Sequence, residues 1–161
     1  MDTGKRVCFA ALIVPAPVDV ELHITVGVAK DVTEHEARMM QVEMERKIRP
    51  HLPIQVEICN YRLRGNDNTI ATYDVAFPDR IVDELLKKFY RAFYKGDPAK
   101  RQYPLLEAHV TVDTPAKLSY IESLIHGPQK GCFQVLDTTF QVRQEGGDPI
   151  YSSDDWKCAS C

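Results

Sequence analysis

An α+β fold, with two small antiparallel sheets forming a central groove and helices packed outside, follows from three features of the sequence. Strict apolar–polar alternation marks several strands. Segments with apolar residues every three or four positions mark three helices, and the two kinds of element are mixed along the chain rather than grouped. The alternating pattern Glu-x-His-x-Thr occurs twice, at 21–25 and again at 107–111, so the chain divides into two halves with one copy each.

Arg6 to Val14 is a nearly unbroken apolar run closed by Pro15 and Pro17, as expected of a strand covered on both faces. Asp19 to Val28 alternates: Val20, Leu22, Ile24, Val26 and Val28 on one face, Glu21, His23, Thr25 and Gly27 on the other. Thr33 with Glu36 makes a capping box. Ala37, Met40, Met44 and Ile48 continue it as a helix up to Pro50. Ile54 to Leu63 and Thr69 to Phe77 are β-rich runs joined by Gly65-Asn66-Asp67-Asn68, which reads as a hairpin.

Pro78 suits the first turn of a second helix with the apolar stripe Ile81, Leu85, Phe89, Ala92 and Phe93, ended by Gly96 and Pro98. Leu105 to Asp113 alternates like the second strand, with Glu107, His109, Thr111 and Asp113 on one face. Thr114-Pro115 caps a short helix carrying Leu118, Ile121, Leu124 and Ile125, stopped by Gly127-Pro128. Cys132 to Arg143 and Pro149 to Ser152 form a closing hairpin around Gly146-Gly147.

The 161 residues are 44% hydrophobic and 27% charged, enough for one sizeable core and too few for two. One domain is expected over residues 1–153, with 154–161 as a C-terminal extension. A formal charge of −3 argues against a protein that wraps duplex DNA, and leaves small ligands or single-stranded ends open. The longest mostly apolar run, Val7 to Val20, contains Pro15, Pro17 and Asp19 and falls short of a membrane span. No secretory signal is visible, so a cytoplasmic or nuclear location is expected. The five cysteines, an odd number, do not read as a disulfide framework.

His and Thr two apart on a strand point into the same space. If the two motif strands lie side by side, a groove holds two imidazoles and two hydroxyls. Cleavage of a phosphodiester needs one proton taken from the nucleophile and one given to the leaving oxygen, which His23 and His109 can supply near neutral pH. Thr25 and Thr111 can donate to the oxygens on which charge builds. A single His-x-Thr is more often an ordinary surface pair; two intact copies flanked by apolar residues are a stronger signal.

His23-Ile24-Thr25-Val26 and His109-Val110-Thr111-Val112 resemble the paired His-apolar-Thr/Ser-apolar signature of the two-histidine (2H) phosphoesterase superfamily. The opening Phe9-Ala10-Ala11-Leu12-Ile13-Val14-Pro15 and the closing Gly146-Gly147-Asp148-Pro149-Ile150-Tyr151 extend the resemblance over nearly the whole chain. It implies a bilobal fold with the motifs on central strands and catalysis with no metal and no cofactor. The substrates implied are RNA or nucleotide phosphodiesters, such as 2′,3′-cyclic phosphates or 2′-5′ oligoadenylates. A monomer acting on a nucleotide or RNA substrate, with no membrane or duplex DNA partner, is the expected unit. A binding module of the same fold that holds nucleotides or RNA ends without turnover is the alternative. Tyr151, in the family-like closing strand, is the aromatic best placed to meet the substrate, ahead of Tyr61, Tyr103 and Trp156.

Some members of that superfamily carry an arginine just after the second motif; Asp113 and Thr114 stand there in this chain. Arg62, Arg64, Arg101, Arg143 and Lys157 are the other candidates for a phosphate contact. Glu21 and Glu107, each two residues before a motif histidine, are either solvated rim residues or carboxylates that raise the pKa of an imidazolium. His35, His51 and His126 lie at helix or turn positions that need no catalytic role. Trp156-Lys157-Cys158-Ala159-Ser160-Cys161 resembles the first half of a Ran-binding-protein type zinc finger. Two thiols cannot close a four-ligand zinc site, so either the sequence is a piece of a longer protein or the pair is incidental.

Overall fold

The computed structural model describes residues 6–65, 67–93, 106–144 and 149–152, with the backbone alone at 93 and 149–152. Eight strands and three α-helices follow one another as β1 (Arg6–Ile13), β2 (His23–Val32), α1 (Glu34–Lys47), a 3-10 turn (Arg49–His51), β3 (Ile54–Arg64), β4 (Ile70–Ala76), α2 (Arg80–Phe93), β5 (His109–Thr111), α3 (Pro115–Ile125), β6 (Cys132–Val135), β7 (Asp137–Gln144) and β8 (Pro149–Ser152). The strands pair antiparallel throughout, in the order β6-β3-β4-β5-β2-β1-β7-β8.

The expected pair of separate small sheets is thus corrected to one continuous sheet. It is continuous because the two motif strands, β2 and β5, are hydrogen-bonded neighbours at its centre, with Ile24 opposite Val110. Four strands lie on either side of that seam, each motif strand being the innermost of its four. The expected single strand from Cys132 to Arg143 is split. Cys132–Val135 pairs with β3 at one end of the order and Asp137–Gln144 pairs with β1 on the other side. Only Leu136, 65% exposed, lies between them.

The capping box of α1 forms as expected: the Glu36 N–H donates to Thr33 Oγ1 and the Thr33 N–H donates to Glu36 Oε1, both at 3.1 Å. Replacing Thr33 by alanine should cost about 1 kcal/mol, read as a lower urea midpoint with an unchanged slope. Ala37, Met40 and Met44 of α1 are buried, and Cys8 donates from Sγ to Met40 Sδ at 3.3 Å. Burial pushes the Cys8 thiol up to about 11, as an apolar site disfavours the thiolate.

The buried stripe of α2 differs from the expected one. Val82, Leu86, Phe89 and Tyr90 face the core, whereas Ile81 is 73% exposed and Ala92 is exposed. Two interleaved sets of positions both carry helical spacing here. Asp79 rather than Pro78 sets the start of the helix, its Oδ1 accepting the N–H groups of Ile81 and Val82.

The alternation of β2 also breaks where none was expected. Ala10 is opposite Gly27, but Ala11 is opposite Thr25, a bulge of two residues facing one. Val26 and Gly27 therefore both belong to the core side and Val28 returns to the histidine side. A side chain at Gly27 would lie 2.9 Å from both Met40 Cε and Phe89 Cε1, so glycine allows α1 and α2 to approach the strand. The run Asp19 to Leu22 is not strand; the Val20 N–H donates to Pro17 O at 2.8 Å in a turn. Of the expected strand Leu105 to Asp113, the described residues 106–113 contribute only the three of β5, although Val75 N–H to Ala108 O (3.1 Å) and Val112 N–H to Ala71 O (2.9 Å) extend its bonding to β4.

Pro115 and the Thr114 cap, whose Oγ1 accepts the Lys117 N–H, start α3 as expected. Ile121 is its fully buried residue. No helix among the described residues is long and apolar enough to cross a membrane. Cys8, Cys59 and Cys132 are free; Cys8 is buried and Cys59 exposed. The extension Trp156 to Cys161, Tyr103, and the Gly146-Gly147 turn lie outside the described residues.

Candidate functional site

The central seam brings the two motifs into one arrangement. With Ile24 opposite Val110 in antiparallel register, His23 faces Thr111 and Thr25 faces His109. Directly opposed side chains start roughly 5 Å apart and diagonal ones roughly 7–8 Å apart. Each imidazole therefore stands at the register position opposite the other motif's hydroxyl, and the two imidazoles lie on a diagonal. All four side chains are half-buried on one face, while Ile24, Val110 and Val112 anchor the strands from the other.

Strand β4 adds to this face, pairing Asp74 with His109 and Thr72 with Thr111. The Thr72 hydroxyl is occupied, donating to Arg62 O at 2.6 Å. Asp74 takes Arg62 Nε at 3.2 Å and an Arg64 terminal nitrogen at 2.8 Å. Arg64 also reaches Glu107 Oε2 at 3.5 Å. On the other side β1 and β7 supply Phe9, Ala11, Thr139, Gln141 and Arg143. Together with His23 and Thr25 they line a cavity of about 170 Å³. The Arg143 guanidinium lies 5.7 Å from the Phe9 ring centre and donates to Gln141 Oε1 at 3.0 Å.

A second cavity, about 290 Å³, opens beside His109 between Thr25, Thr111, Arg64 and Glu107, with Val28, Ile70, Tyr90 and Leu106 as its apolar wall. The two cavities share Thr25. A larger hollow of about 480 Å³, lined by Gln55, Leu124 and Phe133 among others, contains none of the motif residues.

His109 Nδ1 is 2.7 Å from the Glu107 carbonyl oxygen. A carbonyl only accepts, so Nδ1 carries the proton and Nε2 is the nitrogen left for a ligand. Both imidazoles are held below the ordinary histidine range. For His23 burial is the main cause, opposed by Glu21 and helped by Lys117 and Arg143. For His109 burial again leads; the bond to the Glu107 carbonyl, Asp74 and Glu107 pull upward and Arg64 pulls downward. The two glutamates thus act in the direction expected of carboxylates, but desolvation outweighs them.

A depressed histidine pKa means that the unfolded chain binds protons which the folded chain refuses. The stability tied to these groups is present above the unfolded value of about 6.5 and is lost as pH falls from there toward the folded pKa. The urea midpoint should therefore drop as pH falls through and below about 6.5. The drop should shrink when His23 and His109 are both replaced by glutamine.

Asp74, Lys117, Phe9, Thr139, Gln141 and Tyr90 were not singled out by the sequence. Thr72 and Asp74, and Thr139, Gln141 and Arg143, are polar residues two apart within β-rich runs, which was the available signal. Lys117 meets Asp113 at 3.0 Å, so a cation does stand near the second motif, one turn into α3. Tyr61 packs edge-on against Tyr73, ring centres 5.4 Å apart, and lines neither cavity beside the histidines. Tyr151 is paired with Val142 in the β7–β8 register; its side chain, Arg101 and Lys157 lie outside the described residues. Among the described residues no three His, Cys, Asp or Glu side chains gather in a way that could hold a metal ion.

No family model matches the chain, and no curated protein matches its sequence. Among solved structures, that of Usb1 from Kluyveromyces marxianus superposes with a TM-score of 0.54 at 11% sequence identity, over 91% of this chain and 97% of that one. At such identity the likeness is one of fold, and this chain has a Usb1-like fold over nearly its whole length.

Proposed function

We propose that the chain is a phosphodiesterase acting on RNA or nucleotide phosphodiesters, of the 2′-5′ oligoadenylate or 2′,3′-cyclic phosphate type, and a member of the two-histidine group that its motifs resemble. The observation that carries this is the antiparallel pairing of Ile24 with Val110, whose register sets His23 opposite Thr111 and Thr25 opposite His109 on one sheet face. A phosphate seated over the seam would meet a hydroxyl donor from each strand and an imidazole at each end. One imidazole takes the proton of the attacking hydroxyl or water. The other, protonated under the influence of the phosphate's own negative charge, gives its proton to the leaving oxygen. Thr25 and Thr111 donate to the non-bridging oxygens as charge builds there.

Arg143 is the cation best suited to the phosphate itself. Among the described residues its side-chain partners are the neutral Gln141 and the Phe9 ring, whereas Arg62 and Arg64 are engaged by Asp74. The larger cavity beside His109, with its apolar wall, is the place for a nucleoside. Turnover of 2′,3′-cyclic nucleotides, 2′-5′ and 3′-5′ oligoadenylates and a U-tailed RNA, measured with EDTA present, tests the proposal. Cleavage that survives the chelator supports it. Binding of these compounds without turnover would make the chain a nucleotide-binding module instead.

A further inference from the structure

His109 stands on the shortest strand of the sheet, three residues long. The residues before it, 106–108, belong to no strand, although Ala108 O still accepts the Val75 N–H; such backbone bonds place the His109 backbone but do not orient its ring. The ring is fixed instead by a carbonyl two residues back, that of Glu107, at 2.7 Å. The Glu107 side chain meets Arg64 at 3.5 Å, Arg64 meets Asp74 at 2.8 Å, and Asp74 is the residue opposite His109 across β4 and β5. These contacts close a ring of four residues around the imidazole.

Arg64 is a costly member of that ring. Its side chain is only 12% exposed, and its Nε is buried with no partner among the described residues. A buried guanidinium with an unused donor stabilises a fold less than an apolar side chain of similar size would. Stability therefore does not account for it, but its place between Asp74 and Glu107 does.

We propose that Arg64 is a positioning residue for His109: clamped by Asp74, it holds Glu107 so that the Glu107 carbonyl keeps the imidazole in the Nδ1–H form with Nε2 free for substrate. This deepens, and in its kinetic part rests on, the phosphodiesterase reading above. The charged groups around the ring are Arg64 and Arg62 from β3, Asp74 from β4 and Glu107 from the segment before β5. Arg64 is the one among them whose removal takes a positive charge away from the imidazole directly.

The test uses nitrogen NMR of the His109 ring in the full chain above its titration range, with steady-state turnover of 2′,3′-cyclic AMP alongside. Wild type should show a single Nδ1–H tautomer. Arg64→Met and Glu107→Ala should both show a mixture with the Nε2–H form, and Arg64→Lys should recover part of the wild-type signal. kcat should fall about tenfold to a hundredfold with KM changed less than about twofold, since misplacing a reacting group by a fraction of its contact distance has that effect. The His109 titration followed in the same spectra should move to higher pH in Arg64→Met.

Asp74 keeps Arg62 in Arg64→Met. Glu107, 45% exposed, can be truncated without opening the core, so Glu107→Ala decides the matter even if Arg64→Met fails to fold. A wild-type ring found in the Nε2–H form, or an unchanged tautomer in Glu107→Ala, overturns the proposal. These spectra do not depend on turnover. Absence of activity in wild type would count against the phosphodiesterase reading and leave the tautomer result to judge Arg64.

Discussion

Replacing His109 by alanine should lower kcat/KM for the phosphodiester that the panel identifies by about a thousandfold, within the range of 10² to 10⁴ that a positioned proton carrier contributes. His23→Ala should do the same, because a transfer that needs both a base and an acid fails when either is missing. The double variant should be scarcely worse than either single one, as expected of residues that act as a unit. Thr25→Val, which removes one hydroxyl from the seam, should cost about 10² by analogy with the loss of one oxyanion donor. All four side chains are half-buried at the rim of the cavities rather than in the core, so the melting temperatures should stay within a few degrees of wild type. Residual turnover near the wild-type rate in His109→Ala would remove the two-histidine mechanism.

Ile24→Ala should destabilise the chain by about 2–5 kcal/mol, the usual cost of truncating a fully buried isoleucine. It should also depress turnover in the molecules that remain folded. Ile24 is fully buried, as is Val110 opposite it, and this pair marks the seam between the two motif strands. A cavity there lets β5 shift against β2, and the crossed spacing of imidazoles and hydroxyls shifts with it. Ile121→Ala makes the comparison: it is equally buried but on α3, so it should cost similar stability with little effect on kcat. Equal losses of kcat in the two variants would show that the seam does not set the site.

That His23 and Thr25, and His109 and Thr111, would each share one strand face was legible because a strand repeats every two residues and the motif is local. The capping box of α1 and the Thr114-Pro115 start of α3 were legible for the same reason: each is a bond between residues three apart. What the sequence concealed depends on partners far away in the chain. The Val82 face of α2 was hidden by a second stripe of equal spacing. The bulge that turns Gly27 inward places it against Met40 of α1 and Phe89 of α2, partners distant in the chain. The split at Leu136 comes from which strands were left unpaired, β3 on one side and β1 on the other. Arg143 could be named only as one basic residue among five, because its place beside Gln141 and the Phe9 ring is a property of the assembled sheet.

The crossing at Leu136 also orders events along a growing chain. β3, β4, β5 and β6 occur between residues 54 and 135, so the His109 side of the sheet contains every one of its strands before β7 is made. The His23 side contains the first two strands of the chain and the last two. β1, although made first, must wait for residues 137–144 before its outer edge is covered. An unpaired edge is open to wrong partners for as long as it waits, and a ribosome stalled before residue 137 would hold a chain with one finished flank and one raw one.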